Sequence, residues 1–478
     1  MNEETRYIKL VEELIDGADA GDFNDVSNIP AKYKYEHLQA LFMLHKVLDG
    51  GEDLYNSFYH IAIKCGENHV KEKLRKGEVI QVAFLTYSAA QWPAKSLYSD
   101  LKKDSRFHPY VILSPLVDRD EESMKNTYYE SLEWFQESGY EVKEGLGNPI
   151  PSFEQLGGVP DILVHLSSWY TSLPRELQFL QLPWQCLHAY IPYCMNTVDN
   201  VDHSFSLNGV YDSDFVNLMW RVFEDTEINI NEYKKYETLR GENLVQSGYL
   251  KMDELMNRPE YSSNQIEELW KLPKGKNASE VKKIIIAPHY SVFNEGLIVS
   301  STFRENAYFW LYLIEKYQNK ASFLFKPHPN LRAACVGNGV FKSYDEYDDY
   351  ISKWNSYTNA KAISESSYID YFNTSDAMIM DSGSFLGEYL YTQKPLLYLT
   401  RPEQAHTAMG KVLVDAYYKT AGKNYSEIDR FISDVVINGQ DDMKEKRKAV
   451  FDKYFNYVEL NKLYAHEVIY QEFLQVIS

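Results

Sequence analysis

The sequence predicts an α/β protein of two Rossmann-like halves facing a cleft, preceded by a helical segment. Three observations carry this expectation. From Glu78 onward, short apolar and β-branched runs alternate with amphipathic stretches, the pattern of a parallel sheet covered by helices. A polar stretch over 257–277, with Pro259, Pro273 and Gly275, interrupts the alternation, and a second series of the same kind starts at Val281. The 478 residues also exceed the roughly 250–300 at which one hydrophobic core stops growing.

Over 5–76, apolar residues recur at three- and four-residue spacing (Ile8, Val11, Leu14, Ile15; then Leu38, Leu41, Phe42), which is helical periodicity. This helical extension, 1–77, is expected to pack on the domain that follows it. Residues 78–86 then form an apolar strand, followed by a loop and a helix ending near Lys102. A strand at 110–114, a helix at 121–138 and further strands at 141–142 and 161–165 fill a first Rossmann-like domain, 78–256. The stretch 257–277 reads as a linker. The second Rossmann-like domain, 278–478, opens with a strand at 281–288 and continues with a helix at 306–316, strands at 321–325 and 377–380, a helix at 385–391 and a strand at 395–399.

Composition removes several function classes. Forty-nine basic against sixty-nine acidic residues leave a net charge of −20, the wrong sign for coating a phosphate backbone, so no nucleic-acid partner is expected. The same charge disfavours a purely electrostatic grip on anionic lipid, while a local patch leaves peripheral membrane contact open. Thirty-nine tyrosines are in excess; they suit either a carbohydrate surface or crowded packing. The four cysteines form no CxxC pair and read as reduced thiols. The start lacks a secretory n-region and h-region, and no apolar run approaches about 18 residues, so a cytoplasmic protein is expected. No HExxH, GxSxG, P-loop or zinc spacing is present, and the acidic group Asp345, Glu346, Asp348 and Asp349 reads as a solvated helix face, so no metal and no cofactor are expected.

Chemistry is expected just beyond the carboxyl ends of strands, where open α/β sheets bind ligands. After the strand at 321–325 comes Lys326-Pro327-His328-Pro329; two prolines stiffen a loop around an imidazole able to neutralise or protonate a leaving diphosphate. After 377–380 comes Asp381-Ser382-Gly383-Ser384, whose serines and glycine lie where unsatisfied amides at a helix start cradle phosphate. Glu388, one turn on, is placed to accept ribose hydroxyls. After the strand at 281–288, His289 and, farther along, Arg304 border the same place. In the first half, Thr86, Ser88 and Trp92 follow a strand, and His165 or His188 is the candidate general base for an acceptor hydroxyl.

Lys326-Pro327-His328-Pro329, Ser375-Asp376, Asp381-Ser382-Gly383-Ser384, Glu388 and Lys394-Pro395 together resemble the second half of the CDP-glycerol glycerophosphotransferases, the teichoic-acid polymerase-like family. Pro288-His289-Tyr290-Ser291, Ser301-Thr302-Phe303 and, faintly, Ala189-Tyr190-Ile191-Pro192-Tyr193 are also similar to it. The resemblance implies a GT-B fold, with an acceptor-side first domain and a nucleotide-donor second domain. It further implies a CDP-activated donor as substrate and metal-independent transfer of glycerol phosphate to an acceptor hydroxyl in cell-surface polymer synthesis, teichoic acid or capsule. By the same resemblance His328 meets the donor diphosphate, Ser382 and Ser384 the phosphate, and Glu388 the ribose. The acceptor would be an alcohol or polymer, lipid-linked or free, met at the inner face of the membrane, with a homo-oligomer open. The family's Trp-His-Gly segment, which holds its presumed base, is absent. Two other readings remain: a glycosyltransferase using a nucleotide sugar, and a non-catalytic nucleotide-binding scaffold that has lost its base.

Overall fold

The computed structural model describes residues 3–47, 51–257, 259–296, 298–363 and 368–477. The chain divides into two compact units, Met1–Tyr193 with Asn208–Lys251 and Tyr457–Ser478, and Cys194–Leu207 with Met252–Asn456. The helical front joins the first unit, the domain it was expected to pack on, while residues 194–207 join the second unit and the chain's last helix returns to the first.

The strands in chain order are β1 (Ile80–Thr86), β2 (Phe107–Leu113), β3 (Val142–Glu144), β4 (Ile162–His165), β5 (Leu187–Tyr190), the two-residue β6 (Val198–Asp199) of the second unit, β7 (Arg221–Glu224) and β8 (Leu244–Gln246). In the first unit seven of these form a sheet in the order β3-β2-β1-β4-β5-β7-β8, with every pair parallel. The order runs outward from β1 in one direction and from β4 in the other, which is the doubly wound Rossmann arrangement. All of β4 and β5 and most of β1 and β2 are buried, which is why they read as continuous apolar runs rather than alternating ones.

Three helices precede the sheet: α1 (Glu3–Ala20), α2 (Tyr35–His45) and α3 (Gly51–Arg75). They are part of its core. Leu14, Tyr35, Leu38, Phe42, Tyr55 and Tyr59 share one apolar cluster with Ala83, Leu85 and Tyr190 of the sheet. Here the excess tyrosine finds its use. Tyr35 donates to the Cys186 carbonyl at 2.8 Å and Tyr59 to the Met219 carbonyl at 2.8 Å, so each ring is buried while its hydroxyl satisfies a main-chain acceptor. The final helix, Ala465–Ile477, joins this unit through Glu472 on Arg221 (3.1 Å) and Tyr470 on Asp104 (2.7 Å).

The second unit holds β9 (Lys282–Ala287), β10 (Ala321–Phe325), β11 (Ala360–Ala362), β12 (Ala377–Met380), β13 (Leu396–Thr400), the short β14 (Ala405–His406) and β15 (Tyr418–Ala421). Six of them form a second sheet, β11-β10-β9-β12-β13-β15, again parallel. β14 pairs antiparallel with β6. The stretch read as a linker is ordered, because Ser262 and Gln265 form a capping box that starts the helix Ser263–Leu269. Trp270 then buries its ring and donates to Thr374 Oγ1 at 2.8 Å, fastening the segment to this unit. Among the described residues, no helix is long and apolar enough to cross a membrane.

Candidate functional site

β10, β9 and β12 lie side by side and end together, Phe325 opposite Ile286 and Met380 opposite Ala287. The sheet order reverses between β9 and β12. Their carboxyl ends therefore frame the crevice where such a sheet takes a ligand.

One buried carboxylate organises this edge. Asp381, the first residue after β12 and 2% exposed, accepts the His289 main-chain N–H on Oδ1 at 2.7 Å. Its Oδ2 accepts both the N–H (2.5 Å) and the hydroxyl (2.8 Å) of Thr302, the residue before the helix Phe303–Lys316. Burial raises its pKa to about 6, against the pull of these donors and of Arg401.

The two imidazoles of the site are held in one tautomer by their surroundings. Ser291 Oγ accepts the N–H groups of Ser300 (2.8 Å) and Ser301 (3.4 Å), so its own proton is free to go to His289 Nδ1, 2.8 Å away. The Ser291 N–H also points at His289 Nδ1, at 3.3 Å. A ring nitrogen that accepts twice carries no proton, so the neutral His289 bears its hydrogen on Nε2. Burial and the neighbouring His328 lower its pKa to about 3. His328 follows the same rule: its Nδ1 accepts the Asn330 N–H at 3.1 Å, which places its hydrogen on Nε2 when neutral. The His328 N–H donates to the Pro288 carbonyl at 3.1 Å. Tyr290 packs against both rings, 4.4 Å from His289 and 4.7 Å from His328, and the imidazoles are 5.2 Å apart, so the three rings form a triangle. His289, His328 and the Asp381-Ser382 turn thus share one edge.

The remaining expected residues differ in exposure and in partners. Lys326 (7% exposed) and Ser382 (8% exposed) sit at the strand ends with only part of their surface open. Gly383 is required by packing, since a Cβ there would lie 2.5 Å from Val198 Cγ1, and its carbonyl accepts the Thr197 hydroxyl at 2.8 Å. Ser384 opens a helix of only five residues, Ser384–Glu388, continued as a 3-10 turn; its side chain lies outside what the structure describes. Glu388 is 1% exposed and accepts the Tyr368 hydroxyl, so a ribose would have to displace that bond. Arg304 is exposed and spends its guanidinium on the Asn338 carbonyl at 2.8 Å.

The candidate base of the first half has a different place. His188 is fully buried in β5, with the Tyr35 ring edge-on at 4.1 Å and His165 Nε2 3.1 Å from its Nδ1. Burial drives its pKa well below that of an ordinary imidazole. A base must touch the acceptor hydroxyl, so His188 is corrected to a core residue, and His165, 2% exposed, goes with it.

Strand ends also sort the residues that carry the family pattern. Asp376 precedes β12 and accepts the Lys283 N–H at 2.9 Å; Lys394 precedes β13 and donates to the Phe372 carbonyl at 2.8 Å. Both lie at the amino end of the sheet and fasten loops. Asp381, Ser291 and Thr302 lie in the family-like motifs, but sequence reasoning gave none of them a role; for Asp381 the local signal was an acidic residue ending an apolar strand. Among the described residues, no group of three His, Cys, Asp or Glu is arranged to hold a metal ion.

A search of curated proteins by sequence found no match. Among solved structures, a histidine variant of the wall teichoic acid polymerase TagF is similar over 92% of this chain and 99% of its own, with a TM-score of 0.53 and 12% identity. The S. aureus MnaA–UDP structure is similar over 84% of this chain and 98% of its own, with a TM-score of 0.50 and 14% identity. These likenesses show the GT-B fold. The family model described as CDP-Glycerol:Poly(glycerophosphate) glycerophosphotransferase matches residues 224–463, half of the chain and all of the edge described above. The chain belongs to the CDP-glycerol:poly(glycerophosphate) glycerophosphotransferase family.

Proposed function

We propose that the second unit binds a CDP-linked donor by its diphosphate at the carboxyl ends of β9, β10 and β12, and that this transferase moves glycerol phosphate from it to an acceptor hydroxyl. The observation that carries the reading is the convergence of His289, His328 and the Asp381-Ser382 turn at the point where the sheet order reverses. Two Nε2–H groups, both on rings fixed by main-chain donors, form preorganised partners for charge developing on the departing phosphate. Lys326 supplies a positive charge beside them, Ser382 a hydroxyl, and Glu388 meets the ribose by giving up Tyr368. The acceptor oxygen attacks the phosphorus that bears glycerol, the bond from that phosphorus to the bridging oxygen breaks, and CMP leaves with the electron pair.

The donor is a substrate, and the reading needs no resident metal or cofactor; turnover that persists in a chelator is the check. The polymer acceptor is taken to be met on lipid at the inner membrane face, tested by flotation with acceptor-bearing vesicles. The deciding experiment offers CDP-glycerol and several nucleotide sugars with glycerol phosphate oligomers and identifies the nucleotide released. CMP from CDP-glycerol is expected. A nucleoside diphosphate from a sugar donor would make the chain a glycosyltransferase, and donor binding without release under any acceptor would make it a scaffold.

A further inference from the structure

The family pattern's base is missing from this chain, and neither buried imidazole of the first unit can replace it. The segment Cys194–Leu207, which belongs to the second unit, carries another candidate. Four contacts fasten it beside the Ser382-Gly383 turn. Thr197 Oγ1 donates to the Gly383 carbonyl at 2.8 Å, Val198 fills the space a Gly383 side chain would need, Thr407 Oγ1 donates to the Asn196 carbonyl at 2.7 Å, and β6 pairs with β14.

On this segment Asp199 and His203 form an oriented dyad. Asp199 is 4% exposed. Its Oδ1 accepts the N–H groups of Asn200 (2.9 Å) and Ser206 (3.1 Å), and its Oδ2 faces His203 Nδ1 at 2.8 Å. A carboxylate only accepts, so Nδ1 carries the proton and the lone pair lies on Nε2. That is the reverse of His289 and His328, whose hydrogens are on Nε2. The loop around the dyad is built from side chain to main chain: Asn200 Oδ1 takes the Phe205 N–H at 3.0 Å, and Asp202 Oδ1 takes the Ser204 N–H at 3.0 Å. The His203 side chain is half exposed, and its backbone is held at φ +62°, a left-handed conformation that a non-glycine residue rarely adopts. Strain of this kind persists where surrounding structure enforces it and clusters at functional sites.

We propose that His203 is the general base for the acceptor hydroxyl and that Asp199 is its positioning residue. As the acceptor oxygen bonds to phosphorus, its proton passes to His203 Nε2; the phosphorus–oxygen bond to the nucleotide breaks, CMP leaves with the electron pair, and His203 returns the proton to solvent. The inference rests on the transfer reaction above.

The test uses the full chain with CDP-glycerol and a glycerol phosphate oligomer. His203→Gly suits it because glycine adopts the left-handed backbone without strain and leaves room for a free imidazole. Loss of a general base is expected to lower kcat by about 100-fold or more, with donor affinity held within about twofold, and added imidazole is expected to restore at least about tenfold. Asp199→Asn is expected to lower kcat by a similar factor with no imidazole rescue. Transfer by His203→Gly within about threefold of wild type overturns the proposal. So does a parallel loss of donor binding without imidazole rescue, which marks a structural role. Wild type that turns over no CDP-linked donor sinks the transfer reading, and the base with it; active wild type with His203→Gly within about threefold of it sinks the base alone.

Discussion

Asp381 Oδ1 accepts the main-chain N–H of His289 at 2.7 Å across 92 residues of sequence. Its second oxygen takes two donors of Thr302. One side chain thereby sets the positions of the His289 loop and the start of the helix Phe303–Lys316 relative to β12. Asp381→Ala leaves the His289 and Thr302 N–H groups buried without acceptors and is expected to destabilise the second unit by about 2–5 kcal/mol. Asp381→Asn keeps one acceptor and costs less, about 1–2 kcal/mol. Urea unfolding measures both. Donor affinity of the folded fraction is expected to fall in each variant, because the ring of His289 moves with its backbone.

The same pair has opposite pH responses. His289 is lowered to about 3 from an ordinary imidazole pKa, so the unfolded chain takes up its proton first. Its stabilising contribution is present above about pH 6.5 and is lost at about 1.4 kcal/mol per pH unit as pH falls toward the folded value. Asp381 is raised to about 6. Its contribution is present below the usual carboxylate range, about pH 4, and is lost as pH rises through about 6, a swing of about 3 kcal/mol. Between pH 4 and 6 the two slopes oppose each other. Asp381→Asn is therefore expected to make acid destabilisation steeper by about 1 kcal/mol per pH unit, and His289→Gln to make it shallower by a similar amount. Urea midpoints at pH 5 and pH 7 for the three proteins check the signs.

Three glycines of the second unit face the segment 194–207, and their neighbours rank the cost of a methyl group. At Gly410 a Cβ would lie 1.8 Å from the Thr197 carbonyl oxygen, at Gly383 2.5 Å from Val198 Cγ1, and at Gly387 2.2 Å from Met195 Sδ. Main chain cannot retreat as a thioether can. Gly410→Ala is expected to be the most damaging, Gly383→Ala intermediate at about 1–3 kcal/mol, and Gly387→Ala the mildest, since Met195 has other rotamers. Thermal unfolding orders them.

The strands and their ends were legible in the sequence because both faces of β1, β9, β10 and β12 are buried, which writes each as an apolar run broken by the polar residue that follows it. His289, His328 and Ser382 could be placed at one sheet edge for that reason. What tied them together could not be read. Asp381 meets His289 and Thr302 only after β9 and β12 have paired, and the Ser291 hydroxyl that sets the His289 tautomer depends on Ser300 and Ser301 folding back over it. Periodicity showed that 1–77 is helical but not that Tyr35 and Tyr59 bury their rings in the core of the sheet domain. The return of Ala465–Ile477 to the first unit depends on pairs such as Arg221 and Glu472, which no local pattern announces.

His188 shows why an imidazole after a strand start is ambiguous: the strand's own burial decides between base and core, and periodicity does not report it. Its ring is enclosed by Tyr35, Phe179 and His165, with centroids at 4.1, 5.2 and 5.3 Å. Its Nε2 has no hydrogen-bond partner among the described residues. A buried polar nitrogen without a partner is itself destabilising, and an apolar ring removes that cost, but Phe is larger than His and leaves His165 Nε2, 3.1 Å from Nδ1, without its partner. His188→Phe is accordingly expected to cost about 1–3 kcal/mol. His188→Ala leaves a cavity and is expected to cost about 2–4 kcal/mol. Neither is expected to change kcat per folded molecule by more than about twofold, because the ring touches no substrate. Turnover normalised to the folded fraction measures this, and a drop of about 100-fold in folded His188→Phe would return His188 to the catalytic machinery.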